Sequence, residues 1–165
     1  MKLLLCFIFF FMPLANIKYV VQDCEQNKLS IEIGEIYKYK TEVTQGGYQD
    51  LFTIMHPDSS VKYLINIIRA KSPITSYEYL KSDEYKSSFS TTTSSIEEVK
   101  EVNYATFKGI RFLKRITSPQ RVFLSYSIST IIQGDLFVIT YNTIESNFAK
   151  YESEFDHSIN SIRFK

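Results

Sequence analysis

The stretch Leu136–Phe164, LFVITYNTIESNFAKYESEFDHSINSIRF, combines a strand, an amphipathic helix and a short closing strand. Leu136–Tyr141 is apolar on both faces, which predicts a central strand covered on both sides. Asn142 followed by Glu145 has the form of a capping box, so the helix is predicted to begin near Thr143. Its apolar residues recur every three or four positions, the period of an α-helix, at Ile144, Phe148, Tyr151, Phe155, Ile159 and Ile162.

Residues 1–15 resemble a secretory signal peptide, with the leader extending at most to about residue 22. Lys2 precedes the apolar run Leu3–Met12, and Ala15 follows it. This run is shorter than the roughly 20 residues that a membrane-spanning helix needs. We therefore predict export to the periplasm or the cell exterior, with no membrane span in the mature chain. The alternative is a leader that stays attached as an anchor.

The cysteine count and the net charge argue against an internal disulfide, a lipid anchor and nucleic-acid binding. Cys6 belongs to the leader, so Cys24 has no partner for an internal disulfide, and Asp23 beside it argues against a lipid anchor. Removing Lys2 from the 19 basic residues leaves 18, which equals the number of acidic residues. A chain without net charge has no field that attracts nucleic acid, so nucleic acid is not an expected partner.

The hydrophobic patterns predict a flexible lead-in over 16–28 and a single α+β domain over 29–165. Leu29–Val43 alternates as one or two strands with a break at Gly34. Val61–Arg69 fits either a helix or a strand, and its β-branched content favours a strand. Thr75–Phe89 predicts a helix capped by Ser76.

The segment from Ile96 to Ile132 predicts an antiparallel meander. Its turns are short, which makes consecutive strands neighbours. Arg121–Ile132 alternates most regularly, with an apolar face opposite Ser125, Ser127 and Ser129. The predicted fold is therefore an antiparallel sheet that carries the C-terminal helix.

The order of elements resembles the PsbP-like superfamily, which includes the Mog-type Ran-binding proteins. The residues that carry the resemblance are Phe107-Lys108-Gly109, Phe137-Val138-Ile139-Thr140, Phe148, Tyr151, Phe155 and Ile159-Asn160-Ser161-Ile162-Arg163-Phe164. The chain departs from the family after Pro57, where members often have a Trp and this chain has none. The resemblance implies an α-β-α sandwich, an antiparallel sheet flanked by helices, and carries no activity.

Neither histidine forms a recognisable catalytic or metal motif. His56-Pro57-Asp58 is similar to a co-chaperone loop but follows a strand, which favours a surface turn. Glu154 and His157 share a helix face, but a di-metal site needs a second such pair. No nucleophile elbow, Walker A loop or dinucleotide fingerprint is present in the sequence. We therefore predict no catalytic residue, no metal site and no cofactor.

Basic side chains cluster around one predicted hairpin. Arg111 and Arg115 are expected on one strand face with Leu113 between them. One interpretation is a surface for an anionic partner, and the other is charge that keeps a sheet edge from pairing. The candidate partner surface consists of Lys108, Arg111, Lys114, Arg115 and Arg121.

The expected function is that of an exported, non-enzymatic domain that binds a protein partner. The alternative is a carrier that holds a small apolar ligand between the sheet and the C-terminal helix.

Overall fold

The computed structural model describes residues 17–43, 49–59, 64–71, 74 and 76–165. The predicted signal peptide lies outside the described residues. The strands are β1 (Tyr19–Cys24), β2 (Leu29–Gly34), β3 (Lys38–Val43), β4 (Gln49–Met55), β5 (Leu64–Ala70), β6 (Ser94–Asn103), β7 (Lys108–Thr117), β8 (Val122–Ile132), β9 (Asp135–Ile144) and β10 (Arg163–Phe164). The helices are α1 (Asp83–Ser87), preceded by a 3-10 turn at Tyr79–Lys81, and α2 (Glu145–Ser161).

Two antiparallel sheets organise the chain. The large sheet has seven strands in the order β3-β4-β5-β9-β8-β7-β6, and the small sheet has the order β1-β2-β10. The meander prediction is confirmed, and β9 is a central strand as predicted. The strand interpretation of the ambiguous segment is also confirmed, because β5 pairs with both β4 and β9.

The two faces of the large sheet have different covers. On the face that we name the α2 face, residues such as Ile65, Ile139 and Tyr141 pack with Phe155 of α2 and Ile31 of the small sheet. On the opposite face, the α1 face, Leu80, Tyr85, Ile110, Phe112 and Leu136 form a smaller cluster. The predicted α-β-α sandwich is therefore confirmed in its coarser form, an α+β fold dominated by antiparallel strands. Helix α2 shares its side with the small sheet.

The predicted lead-in over 16–28 is wrong for the residues that the structure describes. Tyr19–Cys24 forms β1 and pairs along its whole length with β2. Cys24 is buried there, and burial raises the pKa of its thiol to about 12. The predicted interruption of the strand pattern at Gly34 is the point where the chain passes from the small sheet to the large one, because β2 ends there and β3 belongs to the other sheet. A Cβ at this position would lie 2.9 Å from the Tyr37 ring, so glycine permits the close approach.

Two helix predictions need correction. Helix α2 begins at Glu145 and its N-cap, Ile144, makes no side-chain cap bond, so the capping box at Asn142 does not form. Strand β9 instead continues to Ile144, which pairs with Phe123 of β8. The helix predicted over 75–89 is a 3-10 turn followed by five helical residues, and its cap is Ser82 rather than Ser76.

The last residues close the fold on its first described strands. Phe164 of β10 pairs with Leu29 of β2, and its ring contacts Phe137 at 4.8 Å and Phe107 at 5.5 Å between centroids. Thr106 Oγ1 donates a hydrogen bond to the carbonyl of Ile162 at 2.6 Å. Three motifs that are distant in the sequence therefore meet in one aromatic cluster.

Candidate functional site

The five basic residues of the predicted partner surface do not form one surface. Strand β7 alternates, so Lys108 and Lys114 lie on the α1 face while Arg111 and Arg115 lie on the α2 face. Arg121 is exposed in the turn before β8. Arg111 and Arg115 share a face with Leu113 between them, as the sequence predicts.

Most of these charges already have contacts inside the protein. The ammonium groups of Lys108 and Lys114 lie over the rings of Tyr77 and Phe89, at 4.4 and 5.1 Å from their centroids. The Arg115 guanidinium forms ion pairs with Glu97 and Glu145. These contacts spread the positive charge over two sides of the sheet.

Arg111 is the centre of a group of titratable side chains on the α2 face. Its guanidinium lies 4.2 Å from the ring centroid of Tyr126, whose hydroxyl donates to Glu152 Oε1 at 2.8 Å. Burial, together with that bond, raises the pKa of Tyr126 to about 12. Burial and the charge of Glu152 raise the pKa of Asp156.

The two histidines have different local roles. His56 Nδ1 accepts a hydrogen bond from the Asp58 amide at 3.0 Å, which closes the turn that the sequence predicts. His157 Nε2 lies 2.8 Å from Glu32 Oε2 and its ring stacks on Tyr19. Glu154 is not its partner, because Glu154 accepts from the Tyr37 hydroxyl. Within the described ranges, no three His, Cys, Asp or Glu side chains are placed to hold a metal ion.

Strand β3 forms one edge of the large sheet and exposes all six of its residues. Tyr39 is 49% exposed and Val43 is 52% exposed, and Ile36 just before the strand is 60% exposed. Lys40 and Glu42 point to the opposite side and pair with each other at 2.8 Å. In the described ranges, no further strand pairs with the outer side of β3, and this edge exposes the apolar side chains of Tyr39 and Val43.

Two rows of polar side chains cross the α1 face of the large sheet. In the first row, Thr53, Asn66, Thr140 and Ser127 occupy adjacent positions on four neighbouring strands. Thr53 Oγ1 and Asn66 Oδ1 are 3.0 Å apart, and Ser127 Oγ and Thr140 Oγ1 are 3.4 Å apart. These polar residues lie where a covered sheet normally carries apolar side chains.

The second row contains Asn142, Ser125 and Lys114 on strands β9, β8 and β7. Ser125 is completely buried, and its hydroxyl has no hydrogen-bond partner in the part of the chain that the structure describes. Burial lowers the pKa of Lys114. Ser125 and Lys114 are thus direct neighbours across β8 and β7, and the Lys114 ammonium lies over the Phe89 ring.

A cavity of about 340 Å³ opens at the other end of this second row. We name it the α1-face pocket. Its wall is mainly apolar and consists of Met55, His56, Asp58, Ser59, Leu64, Phe123 and Asn142. Met55, Leu64 and Asn142 are direct neighbours across three strands, so the second polar row continues from the pocket wall to Lys114.

The sequence predicts only part of this arrangement. The alternation of β8 places Ser125, Ser127 and Ser129 on one face, as predicted, but the neighbours of those serines on other strands follow from the register. Period-two counting along β7 separates Lys108 and Lys114 from Arg111 and Arg115, and this signal was present in the sequence.

Known structures share this architecture. The solution structure of the cyanobacterial PsbP protein (CyanoP) from Synechocystis sp. PCC 6803 matches with a TM-score of 0.59 at 12% identity, over 93% of this chain and 96% of that chain. The chain has a PsbP-like fold. At this identity the similarity shows the PsbP-like fold alone. No protein-family model matches the sequence, and no curated protein matches it.

Two further similar structures come from bacteria. LpqN of Mycobacterium tuberculosis, described as involved in cell envelope biogenesis, matches with a TM-score of 0.59 at 8% identity, over 91% of this chain and 92% of that chain. PA94 of Pseudomonas aeruginosa, described as a protein of unknown function and putative regulator, matches with a TM-score of 0.54 at 8% identity, over 89% and 97%. None of these descriptions is that of an enzyme.

Proposed function

We propose that this protein is an exported, non-enzymatic domain that binds a protein partner through the exposed edge of β3. The observation that carries the proposal is the distribution of apolar exposure. Six large hydrophobic side chains are exposed in the described ranges, and five of them lie between residues 17 and 43: Ile17, Val21, Ile36, Tyr39 and Val43. The basic residues around β7 provide no comparable surface.

Strand addition is the binding mode that fits this edge. An extended segment of a partner would pair with the backbone of β3, and main-chain hydrogen bonds would supply much of the affinity. Tyr39 and Val43 lie on the same side of the strand and would select apolar side chains in the added segment. On the other side of the strand, Lys40 pairs with Glu42, and the exposed Lys38 leaves one net positive charge beside the edge.

Export and the absence of catalysis rest on separate observations. The leader-like residues 1–15 and the cell-envelope description of LpqN both support export. No helix in the described part of the chain is long and apolar enough to cross a membrane. The descriptions of the three structural neighbours are not those of enzymes, which supports a non-enzymatic role.

The carrier alternative loses support at the place where the sequence suggested it. Tyr141 and Phe155 stack at 4.8 Å between α2 and the sheet, and both are completely buried. Phe148 packs beside them at 5.3 Å from Tyr141. These side chains fill the interior in which an apolar ligand was expected.

Site-specific photocrosslinking in the native host tests the proposed edge. A photoreactive residue at Thr41 should give one discrete adduct, because Thr41 is exposed on β3, whereas the same residue at Arg121 should give none. The partner identified in the adduct should then bind the purified protein, and Val43→Ser should weaken that binding about tenfold or more. Equal adducts at both positions, or unchanged binding by Val43→Ser, would refute the edge as the binding site.

A further inference from the structure

Strand β3 carries an order of side chains that matches itself when a second copy runs in the opposite direction. Tyr39, Thr41 and Val43 lie on the side of the α2 face. Lys40 and Glu42 lie on the opposite side and form an ion pair at 2.8 Å. All of these residues are exposed, and in the described ranges no further strand pairs with the outer side of β3.

Thr41 is the residue around which two copies of β3 would pair. A symmetric antiparallel pairing has a two-fold axis, and the residue on that axis lies opposite its own copy. Residues directly opposite each other lie on the same face of the sheet. With Thr41 on the axis, Tyr39 lies opposite Val43 of the second copy. In the same way, Lys40 lies opposite Glu42 of the second copy, and each of these two pairs occurs twice.

Every pair in this register is of a kind that stabilises a sheet. An aromatic ring opposite a β-branched side chain, a threonine opposite a threonine and a lysine opposite a glutamate each contribute roughly 0.2–1 kcal/mol relative to a pair of alanines. Lys40 and Glu42 already form an ion pair within one strand, so the axis would bring two such pairs together as a network of four alternating charges. The charges and the apolar side chains are therefore complementary in the same register.

The two adjacent symmetric registers lack this match. A pairing centred on Lys40 places two lysines opposite each other, and a pairing centred on Glu42 does the same with two glutamates. Like charges in directly opposite positions destabilise a sheet. Lys38 lies outside the matched positions, and its two copies would be roughly 20 Å apart in the register centred on Thr41, beyond the Debye length at physiological salt. Charged residues usually keep a sheet edge from pairing, whereas here they select one register.

We infer that the partner at the β3 edge is a second copy of this chain, paired antiparallel about Thr41. The inference rests on the proposed function, because it uses the same edge. The dimer joins two seven-stranded sheets into one, with both α2 faces on the same side. Strand β3 supplies six residues, fewer than the roughly 20–30 that each partner contributes to a stable complex, so the dimer should dissociate on dilution.

Sedimentation equilibrium of charge-swapped variants over a concentration series tests the inference. Lys40→Glu and Glu42→Lys should each weaken self-association about tenfold, because each places like charges opposite each other. An equimolar mixture of the two variants should associate about as tightly as the unsubstituted protein, since opposite charges then face each other at every charged position. The double variant Lys40→Glu/Glu42→Lys should regain self-association for the same reason. Lys150→Glu makes the same change of net charge at an exposed position of α2 and should change nothing.

A cysteine on the axis tests the register directly. In Thr41→Cys the opposing α-carbons would be about 4.5–5.5 Å apart, which is within the range of a disulfide, so mild oxidation should cross-link two copies. In Val43→Cys the two new thiols would be four residues apart along the strand, roughly 13 Å, and should not cross-link. The buried Cys24 is common to both variants, so each serves as the control for the other.

Four results would overturn the inference. The first is a protein that stays monomeric up to its solubility limit, and the second is a mixture of the two charge variants that associates no better than either variant alone. The third is equal cross-linking of Thr41→Cys and Val43→Cys. The fourth is a Thr41 photoadduct that contains a different protein, which would exclude the second copy and leave the proposed edge standing. The absence of any Thr41 photoadduct would instead refute both proposals.

Discussion

The two faces of the large sheet are built from the same strands but bury different kinds of side chain. On the α2 face, aromatic side chains such as Tyr141 and Phe155 are completely buried and fill the space below the helix. On the α1 face, serine, threonine and asparagine cross the strands in rows, and a pocket lies beside them. The comparison indicates that the α2 face supplies most of the apolar core, whereas the α1 face combines a smaller apolar cluster with buried polar side chains.

The largest expected effect on stability is a difference between substitutions on the α2 face and on the α1 face. Phe155→Ala on the α2 face should lower the free energy of unfolding by about 3–5 kcal/mol, because it leaves a cavity among rings that cannot collapse into it. Phe89→Ala on the α1 face should cost about 1–2 kcal/mol, since Phe89 is only half-buried against Phe112. Urea denaturation of both variants measures the difference, and equal losses would contradict the division of roles.

A matched pair of serine variants sharpens the comparison within the α1 face. Ser129→Ala should destabilise the protein by about 1 kcal/mol, because the buried Tyr85 hydroxyl loses its acceptor. Ser125→Ala should be neutral or stabilising by up to about 1 kcal/mol, because it removes a buried hydroxyl that has no partner. The same denaturation assay applies to both. A loss for Ser125→Ala as large as that for Ser129→Ala would show that the Ser125 hydroxyl is satisfied.

The smallest expected effect on stability depends on pH and comes from Asp156 of α2. Burial, followed by the charge of Glu152, raises the pKa of Asp156 in the folded state. The folded protein therefore binds this proton more tightly than the unfolded chain. The protonated carboxyl stabilises the folded state at a pH below about 3.8, and this stabilisation is lost as the pH rises through the folded-state pKa. Asp156→Asn should gain stability relative to the unsubstituted protein between about pH 4 and pH 7. A stability difference that is constant over that range would contradict the raised pKa.

Local periodicity predicts the α2 side of the molecule well. The stripe from Phe148 to Ile162 is buried as its spacing indicates, and β9 is central as its apolar faces indicate. The helix start fails for a physical reason, because pairing of Ile144 with Phe123 extends the strand ladder past Asn142 and removes the capping geometry. Tertiary pairing overrides the local cap.

The α1 face depends on register, which local patterns do not contain. Thr53 and Asn66 are neighbours of Thr140 only because three strands from distant parts of the chain align at those positions. The same reason explains why the sequence pattern does not predict β1. Tyr19–Cys24 becomes a strand by pairing with β2. Its β-branched residues follow the leader-like segment directly, so the sequence pattern does not mark them as a separate strand.

Strand β10 completes the small sheet, so folding of this sheet depends on residues that are synthesised late. Leu29 in β2 pairs with Phe164 of β10, so the small sheet is incomplete until β10 has left the ribosome. Contacts between such distant residues require a large loop closure and slow the folding rate. The Phe107, Phe137 and Phe164 cluster likewise cannot form before β10 has been synthesised.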